Sequence, residues 1–163
     1  MTDKIRTINV MSGLPGSGKT TYVKKNALRD DICLHRDDFR GQLRRKCYPR
    51  PPKNEWKQWI TFINYYITVH QTRDIFIDQT TIGMGGLLKL LKGLRVRSGQ
   101  IIVHVFNLPF DVIQSQNENE NRFVVPSSKM RAMYRTHTNE PISQAGTDSI
   151  GYHVPIIVKE ITK

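Results

Sequence analysis

Short apolar runs alternate along the chain with longer stretches whose apolar residues recur every third or fourth position. Ile5 to Met11 reads as a strand, Thr20 to Leu28 as the helix after it, and Asp31-Ile32-Cys33-Leu34-His35 as a second short strand. Arg36, Arg40 and Arg44 then recur at every fourth position, so a helix there would stack their guanidinium groups on one face. Tyr48-Pro49-Arg50-Pro51-Pro52 is a loop, because its prolines lack donors and push their predecessors toward extended conformations. Beyond it, Trp56, Trp59, Ile60, Ile63, Tyr66, Ile67 and His70 share helical spacing, which predicts a long helix from near Asn54. Such a stripe is read as core, with His70 packed or hydrogen-bonded at its end; the alternative is an aromatic face that stacks on bases.

Asp74-Ile75-Phe76-Ile77-Asp78 is a third strand that ends in a carboxylate. Leu87, Leu88, Leu90, Leu91 and Leu94 make an apolar helix behind Gly83, Gly85 and Gly86, a flexible or close-packed start. Gln100 to Leu108 is nearly continuous in apolar residues, as expected of a central parallel strand covered on both faces, with His104 structural within it. Pro109 breaks that run and Asp111 is placed to cap the next helix; Gln114 to Asn121 is almost wholly polar, either a lid or an exposed helix. Pro126 to His137 is a helix with Met130, Met133 and Tyr134 inward, Thr138 to Gly151 a loop, and Val154 to Ile161 a last strand. Strands alternating with helices predict an α/β sandwich around a mainly parallel, five-stranded sheet.

At 163 residues and 38% hydrophobic content the chain suits one domain, residues 1–163, with a proper core. Its formal charge of +11 favours a polyanionic partner such as nucleic acid. The two cysteines, Cys33 and Cys47, have no zinc-type spacing and suit a reducing compartment. Met1-Thr2-Asp3-Lys4-Ile5-Arg6 leads into no long apolar core, so neither a secretory signal nor a membrane span is expected, and the expected location is the cytoplasm.

The chemistry begins at Gly13-Leu14-Pro15-Gly16-Ser17-Gly18-Lys19-Thr20, which fits the phosphate-binding pattern G-x-x-x-x-G-K-[ST]. It sits between a predicted strand and a predicted helix, the context in which converging backbone N–H groups and the positive helix end hold an anion. Lys19 would reach the β and γ phosphates, Thr20 would offer its hydroxyl to Mg²⁺, and Thr21 would close the nucleotide site, which takes ATP or GTP. In open parallel sheets the ligand crevice lies beyond the carboxyl ends of the strands, so Arg36-Asp37-Asp38-Phe39-Arg40 and Asp78 should face the same cleft. For Arg36 and Arg40 the reading is phosphate contact; for Arg44, Arg45 and Lys46 it is a solvated face. An acid at the place of Asp78 sits near Mg²⁺ or orients a catalytic group, the alternative being a cap on Gln79-Thr80-Thr81.

With the phosphate loop, the Arg-Asp-Asp-Phe-Arg block, the strand ending at Asp78, Val105-Phe106-Asn107-Leu108-Pro109 and Val124-Val125-Pro126 through Met133-Tyr134 in this order, the chain resembles the kinase domain of the bacteriophage polynucleotide kinases. The likeness covers about Ile5 to His137, and zeta-toxin-like kinases share parts of it. It implies a P-loop kinase three-layer sandwich with a small helical lid at about 114–125, and transfer of a γ-phosphoryl group to a DNA or RNA 5′-hydroxyl in nucleic-acid repair, within a bacterial host. It makes Asp37 the general base, Arg40 the holder of the phosphate beside the acceptor nucleotide with Arg36 close by, and Asp78 the acid that places Arg40. The family's Asp-Thr-Asn stands here as Asp78-Gln79-Thr80-Thr81, which leaves Thr80 as a substrate contact. The family's lid arginines fall on Gln116 and Glu120, so Arg122, or Lys129 and Arg131 on the next helix, replaces them, or the chain is a weak or repurposed kinase. The sequence leaves two other readings: a kinase for a small hydroxylated metabolite or modified base, and a nucleotide-binding module that holds nucleic acid or a protein. It leaves the oligomeric state open.

Overall fold

The structure, a computed structural model, describes residues 4–46, 53–119 and 124–162, and for 43–46 it describes the backbone alone. In chain order the elements are β1 (Thr7–Ser12), α1 (Lys19–Asn26), β2 (Ile32–His35), α2 (Arg36–Lys46), α3 (Glu55–Val69), β3 (Ile75–Asp78), α4 (Gly83–Gly93), β4 (Gln100–Phe106), α5 (Phe110–Glu118), α6 (Ser127–Asn139), α7 (Gln144–Asp148) and β5 (Ile156–Ile161). The strands form one five-stranded sheet in the order β2-β3-β1-β4-β5, and every neighbouring pair is parallel.

Alternate residues of the central strands feed opposite layers. Ile8 and Val10, Ile75 and Ile77, and Ile101, Val103 and Val105 pack with Trp59, Ile63, Leu87 and Leu90 of α3 and α4. Met11, Phe76 and Phe106 pack on the other face against Val23 and Tyr22 of α1. Because both faces are covered, β1 and β4 are buried almost throughout, as their apolar-rich sequences predict, whereas the edge strands β2 and β5 are mixed. A third, smaller cluster of Leu14, Ile113 and Met130 joins the phosphate loop to α5 and α6.

Polar side chains inside this core pair with one another, although the buried His104 Nδ1 has no hydrogen-bond partner. His104 Nε2 lies 2.9 Å from Asn9 Oδ1, and burial, with Lys159 adding to it, pushes the imidazole down to about 4, so it is neutral and structural. Gln144 of α7 reaches the open edge of β5: its Nε2 donates to Ile156 O and its Oε1 accepts from Val158 N, both at 2.8 Å. One side-chain amide thereby does the pairing of a missing strand.

Several boundaries differ from the sequence reading. Residues 138–151 are not all loop, since Ser143 accepts from Gly146 N and caps the short helix α7. Asp111 does not cap α5; Pro109 is the cap residue and Asp111 sits in the first turn, where an acidic group still suits the positive helix end. The start of α4 is close-packed: a Cβ on Gly83 would come 2.9 Å from Glu140 O, the atom that accepts from Met84 N at 3.0 Å. His70 ends α3 and stacks on Tyr66 with ring centroids 5.8 Å apart. No helix among the described residues is long and apolar enough to cross a membrane.

Candidate active site

Leaving β1, the chain turns through residues 13–18 and opens α1 at Lys19. Gly16 and Gly18 have φ of 82° and 88°, left-handed values that only glycine adopts without strain. Gly16 is constrained twice, since a Cβ there would lie 2.8 Å from Ile113 O and 2.9 Å from Asn117 N of α5. At Gly13 it would meet Ser17 Oγ at 2.7 Å. Leu14 is fully buried and anchors the loop from beneath, while Pro15 and Gly18 are half-buried and Ser17 is buried. Lys19 is 7% exposed, and its Nζ donates to Gly13 O at 2.9 Å and Leu14 O at 2.6 Å. The first turn of α1 holds no acidic residue and its last turn carries Lys24 and Lys25, so the helix field at the loop stays positive. Thr21, one position further, is exposed.

Thr20 Oγ1 donates to Asp78 Oδ2 at 2.6 Å, which brings the end of β3 against the loop. His35 Nδ1, from the end of β2, lies 2.9 Å from the same oxygen. Burial pushes the Asp78 carboxyl up, but the hydrogen bonds from His35 and Thr20 and the charge of Lys19 outweigh it and leave it below the usual carboxylate range. His35 is raised in turn, chiefly by its hydrogen bond to Asp78. A hydroxyl beside an ionised carboxylate is a hard oxygen donor set that suits Mg²⁺, which takes one or two protein ligands and fills the rest from phosphate and water.

Across the cleft, α2 begins where β2 ends. Arg36 and Arg40 both point at Glu55, the first residue of α3: Arg40 Nε donates to Oε1 at 3.0 Å, and Arg36 Nε and Nη2 donate to the same carboxylate at 3.2 to 3.3 Å. Burial raises the Glu55 carboxyl, yet the Arg40 hydrogen bond and the Arg36 charge prevail and hold it down. Asp78 therefore meets Thr20 and His35, and the carboxylate on Arg40 is Glu55. Asp37 is exposed beside Arg36, whose charge it feels, whereas Asp38 acts on His35. Gln79 and Thr81 are buried, joined to each other and to Trp59, and Thr80 between them is exposed at the cleft end of β3.

On the lid side, residues 114–118 belong to α5, with Gln116 exposed, and Asn117 turns inward to hold Val125 through both its amide atoms. Arg122 and Glu120 lie outside the described residues. Lys129 and Arg131 are exposed on either side of the buried Met130. Sequence reasoning missed Glu55 and His35. An acid at a helix start reads as a dipole partner, and a histidine at a strand end shows no partner until the strands are aligned.

The model of an AAA domain family matches residues 8–139. The chain belongs to that family. No curated protein matches it. Among solved structures, this AAA-domain chain superposes on a chain of the Pnkp1/Rnl/Hen1 RNA repair complex with a TM-score of 0.65 and 17% identity, over 91% of its own length and 47% of the other's. It thus spans about half of that chain. It superposes on a sugar kinase from Janibacter sp. HTCC2649 with a TM-score of 0.57 and 15% identity, covering 96% of this chain and 86% of that one. For a gluconokinase from Sinorhizobium meliloti 1021 the values are 0.58 and 12%, over 98% and 85%. At these identities the likeness establishes the fold, a kinase-type P-loop α/β sandwich on an all-parallel sheet.

Proposed function

We propose that the chain transfers the γ-phosphoryl group of ATP, or of GTP, to the 5′-hydroxyl of a DNA or RNA end, as nucleic-acid repair requires. The observation that carries this reading is the placement of Asp37. It stands exposed on the first turn of α2, beside an arginine pair already gathered on Glu55, at the strand ends that also hold the phosphate loop and the Thr20–Asp78 pair.

In this reading the loop N–H groups and Lys19 hold the β and γ phosphates, and Thr20 and Asp78 are the residues that would hold Mg²⁺. Held there, Mg²⁺ would supply charge neutralisation for the phosphate groups. Asp37 takes the proton from the acceptor hydroxyl as that oxygen bonds to the γ phosphorus and the bond to the leaving nucleoside diphosphate breaks. Arg40 and Arg36 fix the acceptor through its neighbouring phosphate, so that the oxygen arrives in line. Arg122, or Lys129 and Arg131, supplies the lid cation.

The likeness to sugar and gluconate kinases, which covers most of both chains, supports a second reading in which the acceptor is a small hydroxylated metabolite. Incubation with γ-labelled ATP and a 5′-hydroxyl oligonucleotide, and separately with a metabolite pool, distinguishes the two. Label should appear on the oligonucleotide and vanish with Lys19→Ala, whose circular dichroism should match the parent. Transfer that persists in Lys19→Ala would sink the kinase reading, and label found in the pool alone would establish the second.

A further inference from the structure

Trp56, the second residue of α3, has two cations against its ring from two other elements. The Arg36 guanidinium carbon lies 5.0 Å from the ring centroid, and Lys89 Nζ, from α4, lies 4.6 Å from it. The ring is half-buried, so one side of each cation faces an aromatic surface in place of water. Arg36 has Glu55 as its counter-ion, whereas no carboxylate among the described residues forms an ion pair with Lys89. Arg40 and Arg36 of α2 and Lys89 of α4 thus converge on the start of α3, with Asp37 beside Arg36.

We propose that Lys89, which shares the Trp56 ring with Arg36, forms a second phosphate subsite that takes the next internucleotide phosphate of a single-stranded acceptor, one residue beyond the phosphate held by Arg40 and Arg36. This rests on the polynucleotide reading above and makes it more specific. A cation that has lost water on one face and has no partner carboxylate gains most from a new anion, and Lys89 fits that description better than Arg36 does. Both groups lie within 5.0 Å of one centroid, so they are at most two such lengths apart, a limit within which the spacing of consecutive phosphates of a nucleotide strand falls. A small metabolite carrying one anionic group has nothing to offer the second cation.

The test is binding, read by competition against a labelled strand, of a 5′-hydroxyl nucleoside 3′-monophosphate and of a 5′-hydroxyl trinucleotide with two internal phosphates. Lys89→Gln is compared with Lys159→Gln, a like charge change on β5 at the other edge of the sheet. The parent should prefer the trinucleotide, and Lys89→Gln should cut that preference about fivefold while Lys159→Gln leaves it. The salt slope for the trinucleotide should also shrink by about 0.7 in Lys89→Gln. Equal effects of the two substitutions, or a preference unchanged by Lys89→Gln, would overturn the subsite and leave the kinase reading standing. A parent that binds neither acceptor would overturn both.

Discussion

At the scale of single residues, the two adjacent carboxylates of α2 have different neighbours, and that makes them separable. Asp37 lies by Arg36, and Asp38 faces His35. Asp37→Asn keeps the size and removes the proton acceptor, so turnover should fall by a factor of about 10² or more while nucleotide affinity holds. Asp38→Asn should cost far less. Steady-state kinetics with calorimetric nucleotide binding checks this, and equal losses, or lost nucleotide binding in Asp37→Asn, would make Asp37 a structural group. The block Arg36-Asp37-Asp38-Phe39-Arg40 was legible because its strand delivers it to the cleft. That Arg36 and Arg40 answer to Glu55 was not, since the two sides of that contact are 15 to 19 residues apart, with a proline-rich stretch of sequence between them.

Among the elements, the phosphate loop and α5 are locked by one missing side chain. Gly16→Ala would force φ near 82° on a residue with a Cβ and press that atom on Ile113 O and Asn117 N. The expected cost is about 1 to 3 kcal/mol of stability together with weaker nucleotide binding. Gly85→Ala supplies the contrast: this glycine lies inside α4, exposed, with open space where a Cβ would go, and the substitution should stabilise by about 0.5 to 1 kcal/mol. Denaturant midpoints of the two variants should move in opposite directions. The helical and strand periods foretold nearly every element, and the miss at α7 has a local cause. A five-residue helix is too short to show a period, and its stability comes from the Ser143 cap and from Gln144 bound to β5.

For the whole molecule, a formal charge of +11 becomes a directed property only if cations gather where a strand would lie. The proposed reading gives that part to Arg40, Arg36 and Lys89, and on it oligonucleotide affinity should fall steeply with salt, by a logarithmic slope of about 0.7 per neutralised phosphate. Affinity indifferent to salt between low and physiological concentrations would favour a small-molecule acceptor. By itself the sequence determined the parallel α/β architecture, the phosphate loop and the strand-end acids, because each is written in contiguous residues as a period or a fixed spacing. Only the tertiary structure decided which partners those residues have: Thr20 and His35 for Asp78, Glu55 for the arginine pair, the Trp56 ring for both Arg36 and Lys89. Those pairings join helices and strand ends far apart in the chain, and a charge chooses its partner by distance and burial, quantities that exist only once the sheet has set the order of its strands.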